Sequence, residues 1–247
     1  MIIGNYKVVR ELTKTTLSTV YECEHVIKKT KAVIKLEKQS KLLKREAEIY
    51  LYLQKSRVRI PVMKGVGMYE DSSYLVLSQL KESLLTYDGN IPYETFFKEF
   101  YYLHEVNIVH RDIKPQNFLI GFKDELYLID FGLACIQTDQ PMHSFIGNKR
   151  YASFVCFEKE YQYGYKDDII SLIYMLLDLT YGYLPWDKED KPRKEYRFID
   201  YYAPNVLLDL YSICIQDFSY TKLFEQLRLS GRIGTCNTDG KGEIRVV

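Results

Sequence analysis

The chain runs to 247 residues, 47% of them apolar, with 34 basic against 33 acidic residues and a formal charge of +1. That length and apolar share can fill a sizeable core in one domain or two closely packed lobes. The near-zero net charge excludes a global field for nucleic acid or a membrane surface, so neither is expected as a partner.

The five cysteines are odd in number and form no CxxC pair, which sets aside a zinc site and a disulfide framework and points to a reducing compartment. The start MIIGNYKVVREL lacks a signal peptide's charged and apolar stretches, and no run of about eighteen apolar residues occurs. A soluble, intracellular protein is expected, with cytoplasm and nucleus undecided. Twenty-three tyrosines are scattered through the chain without a repeat, and no function is read from them.

In chain order, the segments YKVV, STVYE, KAVIKLE and SSYLVLSQL, all before about residue 80, are short, β-rich and bounded by turn residues. One helix interrupts these strands. Ser40 is its expected cap, and Leu42, Leu43, Glu46, Ile49, Tyr50 and Leu53 recur at helical spacing. After Leu80 the pattern turns helical. Pro92 opens a helix whose apolar face is Tyr93, Phe96, Phe97, Phe100 and Leu103 or His104. Leu126 to Ile129 is a short strand, and the segment from about Asp167 to Thr180 is apolar nearly all round, as a central buried helix would be. The expected fold class is therefore α+β and bilobal: a small β-sheet lobe with one helix (about 1–80), a connection near Ser78 to Lys81, a larger helical lobe (about 82–229) and a short tail (230–247). Ligands favour such interfaces between lobes.

The segment HRDIKPQNFL at His110–Leu119 is followed, thirteen residues after Asn117, by Asp130-Phe131-Gly132 in LYLIDFGLA. A DFG tripeptide alone is weak, but order, spacing and the preceding strand together resemble the catalytic loop and metal-binding motif of protein kinases. The resemblance implies a bilobal kinase fold, ATP and Mg²⁺. It makes Asp112 the acceptor of the substrate hydroxyl proton, Lys114 a support for the moving γ-phosphoryl, and Asn117 and Asp130 the magnesium ligands. Upstream, Lys35 lies in KAVIKLE, where the family carries its phosphate-holding lysine, and Glu46 follows eleven residues later as its partner. Read without the downstream motifs, Lys35 is one exposed lysine among several and Glu46 part of a solvated KREAE face. A lysine on the buried face of a strand, however, needs a charged partner, and Glu46 is the available one.

GNKRYASF at Gly147–Phe154, the stretch from Tyr165 to Trp186 and DFSYTKLFEQL at Asp217–Leu227 are similar to the casein kinase I group. Arg150, Tyr151, Ala152 and Ser153 stand where most kinases carry an APE motif. Asp168 matches the aspartate that anchors the catalytic-loop backbone. Leu77 matches the gatekeeper, with Ser78, Gln79 and Leu80 offering backbone groups to adenine. The connection from Ser83 to His110 and the segment from Asp130 to Ser153 are short for the group, and the roughly eighteen residues after Leu229 leave no Ser/Thr-rich tail for autoinhibition. Thr138 and Ser144 lie in the activation segment, in contexts that demand no phosphorylation.

The largest departure is ELTKTTLSTVYE at Glu11–Glu22. Thr13, Thr15 and Ser18 stand where the family has three phosphate-loop glycines, and Leu12 and Val20 complete the implied nucleotide-binding stretch. If one of these positions needs φ > 0 or close phosphate approach, a side chain there costs about 1–3 kcal/mol. The hydroxyls of Thr15 or Ser18 are candidates to bond a phosphate instead.

Lys149 and Arg150, with Lys191, Arg193 and Lys194 of DKEDKPRKEYR, form a cluster of cations expected to favour acidic or phosphorylated protein segments. A solvated charged loop is the plainer reading. Three functions stay open: an active, monomeric Ser/Thr kinase, to which Lys114 points; a pseudokinase scaffold, to which the missing glycines point; and a small-molecule phosphotransferase.

Overall fold

The structure is a computed structural model that describes residues 1–38, 40–138, 146–158, 160–188, 197–230 and 235–237. β1 (Ile2–Ile3), β2 (Tyr6–Lys14), β3 (Ser18–His25) and β4 (Lys31–Glu37) lead into α1 (Ser40–Leu53), and β5 (Met63–Tyr69) and β6 (Ser72–Ser78) follow. These six strands form one antiparallel sheet in the order β1-β2-β3-β4-β6-β5. Alternation decides its two faces. Ala32 and Ile34 pack with Ile3, Cys23 and Val76 on one side, while Val33 and Lys35 point to the side that carries α1.

β5 was absent from the expected strands because Gly65 and Gly67 dilute its pattern. Gly67 makes room for the Tyr74 ring on β6: a Cβ there would lie 2.7 Å from it, so a larger residue would displace that ring. In α1, Leu43, Glu46, Ile49, Tyr50 and Leu53 are buried as expected. Leu42 is exposed instead, since it sits one residue off the buried stripe. The capping atoms of Ser40 lie outside the described residues.

The connection from Gln79 to Lys81 leads to β7 (Glu82–Ser83), β8 (Asn90–Pro92) and α2 (Tyr93–Glu105). Pro92 immediately precedes the helix, and Phe96, Phe97, Phe100 and Leu103 are fully buried. Glu99 is also fully buried on α2; it accepts hydrogen bonds from Arg59 N and Nη1, both at 2.8 Å, and so ties the helix to the segment after α1.

Next come β9 (Ile108–Val109), the catalytic-loop segment, β10 (Phe118–Ile120), β11 (Leu126–Leu128) and β12 (Cys135–Ile136). β7, β10 and β11 form a three-stranded sheet, and β12 pairs with β9. α3 (Tyr165–Tyr181) is the expected central helix, buried over most of its length and ended by Gly182 in a left-handed turn. α4 (Val206–Asp217) packs beside it, α5 (Tyr220–Leu229) packs on α4 and α2, and β13 (Thr235–Asn237) pairs with β8. One apolar core runs from α1 through α2 to α3 and α4. The α+β architecture is thus an N-terminal sheet with one helix, followed by a helical region. Among the described residues no helix is long and apolar enough to cross a membrane.

Candidate active site

Strand pairing brings the implied nucleotide-binding residues onto one face. Val20 on β3, Lys35 on β4 and Leu75 on β6 lie directly opposite one another across the sheet, and Val33 pairs with Leu77 in the same way. Thr13 pairs with Val20, and the strand register slips at Leu12, whose side chain is exposed. Val33, which alternates with Lys35 along β4, and Leu75 belong to this face; Leu75 was missed from sequence, and two-residue alternation from Leu77 would have found it.

Lys35 Nζ sits between two carboxylates, 2.8 Å from Glu46 Oε2 and 2.9 Å from Asp130 Oδ1. Burial alone would lower the lysine's pKa, and the two carboxylates outweigh it and raise it, so the ammonium stays charged. Burial raises Glu46 to about 7 against the pull of Lys35. Asp130 moves down, because the Lys35 ammonium outweighs the burial that would raise it.

A column of aromatic rings holds this arrangement. Tyr50, one helical turn beyond Glu46, meets the Phe131 ring edge-on with centroids 5.1 Å apart, and Phe131 meets His110 at 5.1 Å. Phe131 is fully buried. The Tyr50 hydroxyl accepts the Asp130 amide at 3.2 Å, so α1 sets both Glu46 and Asp130.

Asp112 is buried in the loop after β9. Its Oδ2 takes hydrogen bonds from Lys114 Nζ at 2.6 Å and Asn117 Nδ2 at 3.1 Å, and its carbonyl takes a second from Asn117 Nδ2 at 2.7 Å. Asp112 Oδ1, Asn117 Oδ1 and Asp130 Oδ2 make no hydrogen bond among the described residues. Arg111 and Asp130 both have positive φ, +68° and +62°, a conformation non-glycine residues seldom adopt and one that gathers at functional sites. Gly147, with φ +119°, lies so close to the catalytic loop that a Cβ would be 2.3 Å from the Arg111 carbonyl oxygen. That contact explains the glycine ahead of NKRYAS.

At the connection between lobes, the Ser78 amide donates to the Val62 carbonyl at 2.8 Å, so of its two backbone groups the N–H is already engaged. The Leu80 backbone makes no hydrogen bond among the described residues and can offer both its N–H and its C=O. Lys35, Leu80 and the free oxygens of Asn117 and Asp130 fit a nucleoside triphosphate with a divalent ion: Lys35 would hold phosphate, Leu80 the base, and Asn117 and Asp130 the ion.

The segment at Thr15 differs from its expectation. No residue from Glu11 to Glu22 has positive φ, so the anticipated backbone strain is absent. Thr15 instead closes its own turn: its Oγ1 accepts the amides of Leu17 at 3.3 Å and Ser18 at 3.0 Å, while the Thr15 amide donates to the Ser18 carbonyl at 2.8 Å. The Thr15 and Ser18 hydroxyls are 3.2 Å apart. Amides that a glycine loop would aim at phosphate are held by a threonine hydroxyl here.

Arg150 also corrects its expectation as a substrate-facing cation. Its guanidinium pairs with Asp178 at 2.8 Å and Asp187 at 2.5 Å, the Tyr151 hydroxyl donates to Asp178 at 2.6 Å, and Trp186 Nε1 donates to the Arg150 carbonyl at 3.0 Å. Two carboxylates neutralise the charge, and the segment RYAS is anchored on α3 through Asp178 and on the turn after it through Asp187. Lys149 is exposed. Lys191, Arg193 and Lys194 lie outside the described residues, as does Ser144.

The protein kinase domain family matches residues 6–219. Among curated proteins, "Probable serine/threonine-protein kinase DDB_G0292354" of Dictyostelium discoideum is 27% identical over 240 residues, covering 85% of this chain and 48% of the relative, so the chain spans about half that protein's length. Among solved structures, the kinase domain of PF14_0431 is similar in fold, with a TM-score of 0.58 at 21% identity over 69% of this chain and 64% of that one.

Proposed function

This chain belongs to the protein kinase family, and on that premise we propose that it is an active Ser/Thr kinase whose catalytic residues are Asp112, Lys114 and Asn117. The observation that carries the reading is the assembled charge set: Lys35 locked between Glu46 and Asp130, with Phe131 packed beneath Tyr50, beside a buried Asp112 that keeps one oxygen free. Bound Mg-ATP supplies the γ-phosphoryl group and the divalent charge that offsets it. Lys35 donates to phosphate oxygens, held in place by Glu46. Asn117 Oδ1 and Asp130 Oδ2 offer oxygen to the metal. Asp112 Oδ1 accepts the proton of the incoming Ser or Thr hydroxyl, and Lys114, already on Asp112 Oδ2, orients that carboxylate and carries a positive charge beside the site of transfer.

The kinship with the casein kinase I group is part of this proposal, supported by the GNKRYAS segment and its own anchor through Arg150 and Tyr151 on Asp178. A preference for acidic or phosphorylated segments rests on the charges of Lys149, Lys191, Arg193 and Lys194, without Arg150. Equal rates on acidic and basic peptides would remove it.

One observation favours a second reading, a pseudokinase scaffold: the self-closed turn at Thr15 withholds amides from phosphate. Transfer of labelled γ-phosphate from Mg-ATP to casein separates the two. Transfer by the wild type that disappears in Asp112→Asn supports the kinase; no transfer by a folded wild type with Mg-ATP in excess supports the scaffold.

A further inference from the structure

The loop that carries Asp112 is held from behind by Asp168, the fully buried fourth residue of α3. A carboxylate has about four lone-pair directions, and all four are used. Oδ1 accepts the Arg111 amide at 3.0 Å and the Tyr163 hydroxyl at 2.8 Å; Oδ2 accepts the His110 amide at 2.7 Å and His104 Nε2 at 3.0 Å. Two of these bonds orient the catalytic loop. The other two come from α2 and from the segment ahead of α3.

His104 extends the chain of bonds to α5. Facing a carboxylate, its Nε2 must donate, which leaves Nδ1 as an acceptor. The hydroxyl of Tyr220 lies 2.5 Å from Nδ1 and is the donor. Of the two neutral tautomers only Nε2–H satisfies both bonds, and burial, which lowers the pKa of His104 against the pull of Asp168, favours the neutral ring over the imidazolium. Tyr165 stacks on the imidazole at 4.6 Å and donates its hydroxyl to Asn107, in the turn between α2 and β9.

We infer that Tyr220 and Tyr163 are positioning residues for Asp112. Tyr220 holds the His104 ring in orientation, His104 and Tyr163 fix Asp168, and Asp168 fixes the His110 and Arg111 amides from which Asp112 projects. Arg111 sits at φ +68°, a conformation that persists only where its surroundings over-determine it, so a loosened Asp168 is felt directly in the loop. The catalytic part of this inference rests on the kinase reading; the structural part does not.

Tyr220→Phe removes the hydroxyl and keeps the ring, which packs on Tyr101, Phe218 and Phe224. His104 Nδ1 is then left without its donor, and the imidazole loses the bond that orients its Nε2–H toward Asp168. The test combines steady-state kinetics with amide hydrogen exchange. In Tyr220→Phe, exchange over residues 106–117 is expected to quicken while that of β4 stays unchanged. With it, kcat is expected to fall about tenfold, with KM for Mg-ATP held within about twofold. Tyr163→Phe is expected to do the same. Unchanged loop exchange in Tyr220→Phe, or exchange that rises across the whole molecule with kcat falling only in step with thermal stability, would overturn the inference. If the wild type transfers no phosphate, the kinase reading fails, and the loop-exchange result still decides this one.

Discussion

Replacing Lys35 with methionine keeps the aliphatic stem and removes the ammonium that two carboxylates share. Glu46 has only 2% of its side chain exposed, whereas Asp130 has 38%. Stranding a buried charge by removing its partner costs about 3–5 kcal/mol. Asp130 adds little to that figure, because solvent screens it. Glu46 limits the loss by taking up a proton, and each pH unit over which it must do so costs about 1.4 kcal/mol.

The sign with pH then follows. The folded-state pKa of Glu46 is already about 7, above its ordinary 4.5, and without Lys35 it rises further. The folded variant therefore holds a proton that the unfolded chain releases above pH 4.5, so its stability drops as pH rises. Lys35→Met is expected to destabilise by about 2–3 kcal/mol at pH 8 and by under about 1 kcal/mol at pH 5.5. Urea unfolding followed by the fluorescence of Trp186, the single tryptophan, measures both. A loss equal at the two pH values, or greater in acid, would refute the view that a buried Glu46 depends on Lys35.

Thr15→Gly with Ser18→Gly releases the Leu17 and Ser18 amides from the threonine hydroxyl and should tighten Mg-ATP binding about tenfold by calorimetry; unchanged or weaker binding would mean that phosphates do not meet this turn. Arg150→Met leaves Asp178 and Asp187 without their cation, and since the arginine is 39% exposed the expected loss of stability is only about 1–2 kcal/mol. Its KM for an acidic peptide should stay unaltered, and a rise confined to acidic peptides would return Arg150 to the substrate surface. Gly147→Ala places a Cβ against the Arg111 carbonyl at a positive φ, so it should destabilise by more than about 1 kcal/mol and lower kcat; wild-type behaviour in both would exclude that close approach.

Short-range order was legible in the amino-acid sequence. The alternation in KAVIKLE put Lys35 and Val33 on one face of β4, and helical spacing put Glu46 and Tyr50 on one stripe of α1. Asp112, Lys114 and Asn117 lie within six residues of chain, so their local geometry follows from one loop. Arg150 finds Asp178 and Asp187 28 and 37 residues away, and Tyr220 reaches His104 across 116. Thr15 lies closer to its partners, yet its hydroxyl could have faced either phosphate or its own turn. Periodicity tells which side of an element leaves water. It does not tell which partner a charge or hydroxyl then meets, because that depends on how distant segments are brought together. A buried polar group must find a partner wherever the completed core supplies one, and here that requirement, met only in the tertiary structure, decided which of the legible residues face the reaction and which hold the loop in place.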